Sequence, residues 1–147
     1  MFKHILVPTD GSRRSKDAAR RAVLFAKGRG AQICALYVKP PTTEYSWANG
    51  AWVDCPNPAL VDEFAESDAR EILGSVEMLC WKEGVRCHKV MRTSSAVFEA
   101  IIDAAVENEC DLIIMASHAR RGIDALVRGS ETHQVLTHSK IPLLVYR

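Results

Sequence analysis

The chain has 147 residues, of which 48% are apolar and 25% charged, and its formal net charge at pH 7 is +1. These values are typical of one globular domain, so we expect residues 1–147 to form a single domain. The small net charge argues against nucleic acid or an anionic membrane as a partner.

No apolar run approaches the roughly 20 residues that cross a bilayer. The first apolar run meets Pro8 and Asp10 too soon for a signal peptide. Five cysteines are scattered along the chain without CxxC spacing, so we expect a reducing, cytoplasmic location with neither disulfides nor structural zinc. The cysteines are Cys34, Cys55, Cys80, Cys87 and Cys110.

Short apolar runs alternate with longer segments of helical period. Leu112–Met115 does not alternate with polar residues, which is typical of a strand covered on both faces. The five runs are Ile5–Val7, Ile33–Val38, Val85–Met91, Leu112–Met115 and Leu143–Tyr146.

Four helices are predicted between these runs. The first has an alanine-rich face, is capped by Ser12 or Ser15, and ends at Gly28 or Gly30. The others are predicted over Ala59–Glu83, from Val97 to Ala105, and from near Gly129-Ser130 to before Ile141-Pro142. Alternating strands and helices predict a parallel sheet with right-handed crossovers and helices on both faces.

Residues 39–58 form an irregular segment with four of the six prolines, together with Trp47 and Trp52. A loop of this length is either a functional flap or poorly ordered. Its tryptophans either form a contact surface or pack onto the sheet edge.

The loops after the strands are the best candidates for a binding site, because open parallel sheets bind ligands beyond the carboxyl ends of their strands. Asp10 follows the first strand, where it can accept from a ribose hydroxyl or hold a divalent ion. Gly129-Ser130 offers backbone N–H groups at a helix start, and Arg120, Arg121 and Arg128 add positive charge. Alternatively, Asp10 only forms a turn, Ser130 only caps the helix, and the arginines are a solvated surface.

Catalytic motifs are not evident in the sequence. The Walker A string does not occur, and Ser130 lacks the flanking glycines of a nucleophile elbow. Ser130 and His133 have no assigned oxyanion hole. We therefore predict no catalytic residue and no protein-bound metal beyond a contact of Asp10 with magnesium.

Three blocks of the sequence resemble universal stress proteins: Ile5–Ser12, Asp111–His118, and Gly129 through Val145. The resemblance follows the whole chain in order. It implies a three-layer α/β/α sandwich of the adenine nucleotide alpha-hydrolase-like type, with a five-stranded parallel sheet in the order 3-2-1-4-5 and four helices.

In ATP-binding members of that family, the site resembles Gly-x-x-Gly, nine residues, and then Gly-Ser or Gly-Thr. The matching positions here are Ala116, Ala119, Gly129 and Ser130, so both leading glycines are alanine. The resemblance implies an ATP or related adenine-nucleotide site, with magnesium, near these loops. The implied residues are Pro8, Thr9, Asp10, Val38, Met115, Ala116, Ser117, His118, Ala119, Arg120, Arg121, Gly122, Gly129, Ser130, Glu131 and Thr132.

Two functions stay open at this stage. One is a stress-response regulatory module that binds an adenine nucleotide and at most hydrolyses it slowly. The other is a dimeric interaction protein with a vestigial site that acts through protein partners. In either case the resemblance implies a homodimer through the last strand, at Leu143, Leu144 and Val145.

Overall fold

The computed structural model describes residues 1–41, 58–117 and 131–147. Within these ranges, strands and helices alternate along the chain. The strands are β1 (His4–Pro8), β2 (Gln32–Lys39), β3 (Cys87–Thr93), β4 (Leu112–Ala116) and β5 (Leu143–Tyr146). The helices are α1 (Arg13–Lys27), α2 (Pro58–Lys82), α3 (Val97–Glu107) and α4 (Glu131–His138).

The five strands form one parallel sheet in the order β3-β2-β1-β4-β5, which confirms the predicted order. The chain first builds outward from β1 to β3 and then, on the other side, from β4 to β5. The strand order therefore reverses between β1 and β4. This is the point at which an open parallel sheet leaves a crevice beyond its carboxyl ends.

Helices cover both faces of the sheet because alternate side chains of each strand point in opposite directions. In β1, the residues Ile5, Leu6 and Val7 are all 0% exposed. Ile5 and Val7 belong to the apolar cluster that includes residues of α1 and α2. Leu6 belongs to the opposite cluster, which includes residues of α3 and α4. The predicted three-layer sandwich is thus confirmed.

The first helix begins at a serine cap and ends at a glycine. Of the two serines that could cap α1, the structure uses Ser12, whose hydroxyl accepts from the backbone N–H of Ser15 at 3.2 Å. Of the two glycines, Gly28 is the C-cap. The predicted apolar face is buried and consists of Ala18, Ala19, Ala22, Val23 and Ala26.

Strand β3 begins two residues later than the apolar run Val85–Met91. Val85 instead closes the turn after α2, because its backbone N–H donates to the carbonyl of Cys80 at 2.9 Å. Gly84 has a φ of 68°, which permits this turn. Val85 is therefore apolar because the turn packs it into the core, and not because it belongs to a strand.

None of the helices in the described ranges is long and apolar enough to cross a bilayer. Residues 42–57 of the segment rich in proline and tryptophan lie outside these ranges, so its predicted alternatives stay predictions.

Gly11 provides a test of the packing between the loop after β1 and helix α2. Its φ is 79°, and a Cβ built at this position would lie 2.9 Å from Cγ1 of Ile72. We expect Gly11→Ala to lower the free energy of unfolding by about 1–3 kcal/mol, since left-handed backbone alone costs an alanine roughly 1–2 kcal/mol. Urea denaturation would measure the change.

Gly74→Ala is the matched control, because Gly74 lies inside α2 and a Cβ there meets nothing within 4 Å. We expect this variant to be unchanged or stabilised by up to about 1 kcal/mol. If Gly11→Ala were equally harmless, the contact with Ile72 would not constrain the loop.

Candidate functional site

A cavity of about 240 Å³ lies at the carboxyl ends of β1, β2 and β4, beside the point at which the strand order reverses. It is bounded by the loop after β1, by the first turns of α3 and by the first residues of α4. Its described lining comprises Pro8, Thr9, Asp10, Ser15, Leu36, Val38, Val97, Ile101, Met115, Ala116, Glu131 and Thr132.

The loop after β1 is held in place by a short network of hydrogen bonds. The backbone N–H of Thr9 donates to the carbonyl of Leu36 at 2.8 Å, which extends the contact between β1 and β2 beyond the last residue of β1. The buried hydroxyls of Thr9 and Ser15 are 3.1 Å apart. Ser15 also donates its hydroxyl to the carbonyl of Ser12 at 3.0 Å. Both hydroxyls therefore connect the loop to α1.

Asp10 lies at the exposed side of this loop. Its Oδ1 accepts from the backbone N–H of Ser12 at 2.9 Å, which is the hydrogen bond of an Asx turn. The predicted turn-forming role of Asp10 is thus present in the structure. A carboxylate has two oxygens with about four acceptor positions in total, and this bond occupies one of them.

The walls of the cavity are mainly apolar. Leu36 and Val38 come from one face of β2, and Met115 comes from β4. Val97 and Ile101 come from the first two turns of α3. Together they form an apolar lining next to a few polar groups, which is typical of small-molecule sites.

The start of α4 is fixed to the end of β4 by one side chain. Thr132 is buried, and its hydroxyl donates to the carbonyl of Ala116 at 3.2 Å. Glu131, the first residue of α4, lines the cavity beside it. Asp10 and Glu131 therefore give the described lining two carboxylates and no cationic side chain.

Negative charge at this end of the sheet also affects Tyr37. Burial raises the pKa of the Tyr37 phenol, and the carboxylates of Asp68 and Asp10 raise it further. The Asp10 carboxylate thus adds to the negative field around the loop, and such a field favours a cation or a hydrogen-bond donor as ligand.

The structure places eight of the predicted site residues around one cavity. These are Pro8, Thr9, Asp10, Val38, Met115, Ala116, Glu131 and Thr132. Ser117 is not on the described lining. Its backbone N–H donates to the carbonyl of Tyr146 at 2.7 Å, and its own carbonyl accepts from Arg14 at 3.4 Å. The remaining predicted residues lie outside the described ranges, namely His118, Ala119, Arg120, Arg121, Gly122, Gly129 and Ser130.

Four of the lining residues are not predicted from the sequence. Leu36 could have been found from Val38, because residues two apart in a strand share a face. Val97 and Ile101 are four apart and share a face of α3, but their helical pattern predicts only a core position. Ser15 was assigned a capping role, and nothing in its spacing indicates that it also lines a cavity.

A family model described as the universal stress protein family matches residues 1–147. A universal stress protein of Methanocaldococcus jannaschii is 29% identical over 148 residues, which cover 100% of this chain and 83% of that protein. The structure of a universal stress protein in complex with cAMP matches with a TM-score of 0.78 and 19% identity, over 99% of this chain and 97% of the other. The universal stress protein from Archaeoglobus fulgidus in complex with dAMP matches with a TM-score of 0.67 and 17% identity, over 100% and 98% of the two chains.

The hydrogen bond from Thr132 to Ala116 provides a test of how the site is held together. Thr132→Val keeps the shape of the side chain but removes the donor to a buried carbonyl. We expect the free energy of unfolding to fall by about 1–2 kcal/mol, because an unsatisfied buried acceptor costs about this much. Thermal or urea denaturation would measure it.

Thr137→Val serves as the control, since Thr137 lies in the same helix and donates its hydroxyl to the carbonyl of His133 on an exposed surface. Its effect should stay within about 0.5 kcal/mol. Equal losses in the two variants would mean that replacing any threonine hydroxyl of α4 by a methyl group has this cost, and that the bond to Ala116 has no special role.

Proposed function

The chain belongs to the universal stress protein family, and from this premise we propose that it is a stress-response protein whose cavity binds an adenine nucleotide. The observation that carries the proposal is the apolar cavity at the reversal of strand order, between Asp10 and the start of α4. Two structures that share its fold hold cAMP and dAMP, and both ligands are adenine nucleotides.

In the proposed complex the adenine lies in the apolar part of the cavity, against Val38 and Val97. A purine is flat and largely apolar on its faces, so aliphatic walls gain free energy by excluding water from it. The cavity volume of about 240 Å³ is smaller than the roughly 300–1,000 Å³ of a typical small-molecule pocket. We therefore propose that the cavity encloses only part of the nucleotide. The base and ribose occupy this space, and the phosphates extend beyond it.

Asp10 is the proposed partner of the ribose. Its carboxylate lies at the rim of the cavity, where it can accept a hydrogen bond from a ribose hydroxyl in addition to the one from Ser12 N. When magnesium accompanies a triphosphate, the same carboxylate is the described group best suited to contact it, since magnesium prefers oxygen ligands.

The phosphates require positive charge, and the described lining offers none. Arg120, Arg121 and Arg128 are the candidates from the sequence, together with Gly129 and Ser130, which directly precede α4. Backbone N–H groups at a helix start bind phosphate well. We therefore propose that residues 118–130 complete the phosphate site, with Ala116 and Ala119 at the positions where ATP-binding members have glycine.

Binding, and not committed catalysis, is the role that the described residues support. The hydroxyls of Thr9 and Ser15 are engaged with each other, and Ser15 also donates to the carbonyl of Ser12, the N-cap of α1. Neither is paired with a general base among the described lining residues, and such a base is what a nucleophilic hydroxyl requires. Nucleotide occupancy would then act by changing the surface that partners meet.

Val97→Trp tests the proposed position of the base, because the indole would fill the space between α3 and β2. We expect Mg-ATP and AMP affinity to fall at least about tenfold, which corresponds to about 1.4 kcal/mol. Val106→Trp is the control, since Val106 lies at the far end of α3 and is 63% exposed. Isothermal titration would measure affinity, and thermal unfolding would verify the fold of both variants.

Native mass spectrometry of the wild-type protein, with and without millimolar Mg-ATP, decides between the two functions that the sequence leaves open. Retained or added adenine nucleotide that is lost in Val97→Trp supports the binding module. A wild-type protein that stays empty contradicts it and favours the interaction protein with a vestigial site.

The proposed assembly is a homodimer through β5. Within the described sheet, β5 pairs with β4 alone, so its other edge carries unpaired backbone groups. The carbonyls of Pro142 and Tyr146 accept from the β4 side. Because backbone groups alternate along a strand, Leu143 and Val145 direct theirs to the open edge. A second copy of β5 would satisfy these groups and cover Leu144, which is 36% exposed.

Val145→Pro tests this interface. Proline removes a backbone donor on the open side, and it is tolerated in edge strands when the lost N–H faces away from the sheet. We expect a wild-type dimer and a folded monomeric variant by analytical ultracentrifugation, with circular dichroism verifying the fold. A wild-type monomer, or a variant that stays dimeric, would contradict pairing through β5.

A further inference from the structure

A histidine and two cysteines meet at the end of the sheet opposite to the cavity. His4 is the first residue of β1, Cys34 lies in β2, and Cys110 precedes β4 by two residues. One ring nitrogen of His4 and the two sulfurs all lie within 4.8 Å of one another. The proposed nucleotide site does not use any of these groups.

Parallel pairing and alternation bring the three residues together. Cys34 is the Cα partner of Leu6, and His4 lies two residues before Leu6, on the same face of β1. Cys34 and Cys110 both belong to the apolar cluster of Leu6. The three side chains therefore converge beneath α3 and α4 although they are far apart in the sequence.

The backbone around the cluster is fixed by Asp111. Its carboxylate accepts from the backbone N–H of Lys3 at 2.8 Å and from that of His4 at 3.1 Å. Its own N–H donates to the carbonyl of His4 at 2.9 Å. These bonds tie the start of β1 to the residue that follows Cys110, so two of the three ligands are held in register.

One ring nitrogen of the histidine is unsatisfied. The Nε2 of His4 is buried, and it has no hydrogen-bond partner in the part of the chain that the structure describes. Cys34 is 0% exposed and Cys110 is 6% exposed. A buried imidazole nitrogen without a partner costs free energy, and a bound metal ion would recover that cost.

We propose that His4, Cys34 and Cys110 bind one Cu(I) ion in a three-coordinate site with two sulfurs and one nitrogen. Thiolate is a soft ligand that selects Cu(I), and imidazole also suits copper. Structural zinc sites have four ligands, almost always tetrahedral, and the described residues supply only three here. The burial of both cysteines also disfavours water as a fourth ligand.

The size of the cluster fits such an ion. Metal–sulfur bonds of about 2.3 Å and metal–nitrogen bonds of about 2.0 Å, taken from zinc sites, would place the ligand atoms of a trigonal site about 3.7–4.0 Å apart. The present separations are at most 4.8 Å, so shifts of the ligand atoms by about 1 Å through side-chain rotation close the site. Binding forms two Cu–S bonds and one Cu–N bond, and the thiol protons pass to solvent without a change of oxidation state.

A second thiol pair provides an internal comparison. Cys80 and Cys87 are close to each other, and they lie in or against the opposite apolar cluster. No histidine joins them in a metal-sized group among the described residues. If two thiols alone were sufficient, this pair would bind Cu(I) as tightly as the pair near His4.

The experiment starts from a background variant with Cys55→Ser, Cys80→Ala and Cys87→Ser, which retains only Cys34 and Cys110. The probe is Cu(I), titrated anaerobically into the fully reduced protein in competition with the chromophoric chelator bicinchoninate. We expect the background variant to bind one equivalent with the affinity of the wild-type protein.

His4→Gln in the same background should weaken Cu(I) binding at least about tenfold, since one of three ligands is lost. X-ray absorption should show nitrogen and sulfur ligands before this change and only sulfur afterwards. His4→Gln tests the proposal even if Cys34→Ser or Cys110→Ser fails to fold, and His88→Gln is the control for removal of a histidine.

Three outcomes would overturn the proposal. The background variant could fail to bind Cu(I), or His4→Gln could leave both its affinity and its absorption spectrum unchanged. Zn²⁺ could also bind at one equivalent where Cu(I) does not, which would assign the cluster to a different ion. None of these results depends on nucleotide binding, so failure here leaves the proposed function untouched.

Discussion

The structure depends on β1 being buried on both faces and paired on both edges. Ile5, Leu6 and Val7 are removed from water completely, and the helices that cover them pack onto the neighbouring strands as well. Each Å² of buried apolar surface contributes roughly 25 cal/mol to stability, so these fully buried residues contribute more than partly exposed ones of the same size. Because β1 is paired with β2 and β4, its position fixes what lies beyond each of its ends.

Both candidate sites are consequences of this central position. At the carboxyl end, the hydrogen bond from Thr9 to Leu36 holds the first residue of the loop against β2, so that Asp10 lies at the rim of the cavity. At the amino end, the bonds between Asp111 and His4 hold the histidine beside two buried thiols. One end thus combines aliphatic walls with carboxylates, while the other combines soft ligands with deep burial.

The sequence predicts the elements better than the distances between them. Helical and strand periods locate nearly every element. The start of β3 is predicted two residues too early, because Val85 is a buried apolar residue of the preceding turn and not part of the strand. Periodicity yields only the alternation of strands and helices, whereas the strand order rests on the resemblance to universal stress proteins. The lining residues at the carboxyl ends of β1 and β4 are predictable because parallel strands end at the same edge of a sheet.

The features that the sequence does not predict are contacts between segments that are distant in the chain. Ser15 reads as a helix cap and Ile101 as a core residue, and both also line the cavity once α1 and α3 are docked. The cysteines lack any motif spacing and predict no metal site. Cys34 and Cys110 meet His4 only because the register of β1 with its neighbours brings them there. Such a cluster has no signature in the linear sequence.

The pairing between β1 and β4 has a further consequence for how the molecule could open. These strands share two residue pairs, whereas β1 and β2 share five. The boundary between them separates two blocks that are each continuous in the chain, one ending with β3 and the other beginning with α3. Opening along this boundary would also separate α1 from β4, against which it packs, while each block stays folded. A ligand that contacts both Asp10 and Thr132 would bridge the two blocks, so occupancy of the cavity would suppress this opening.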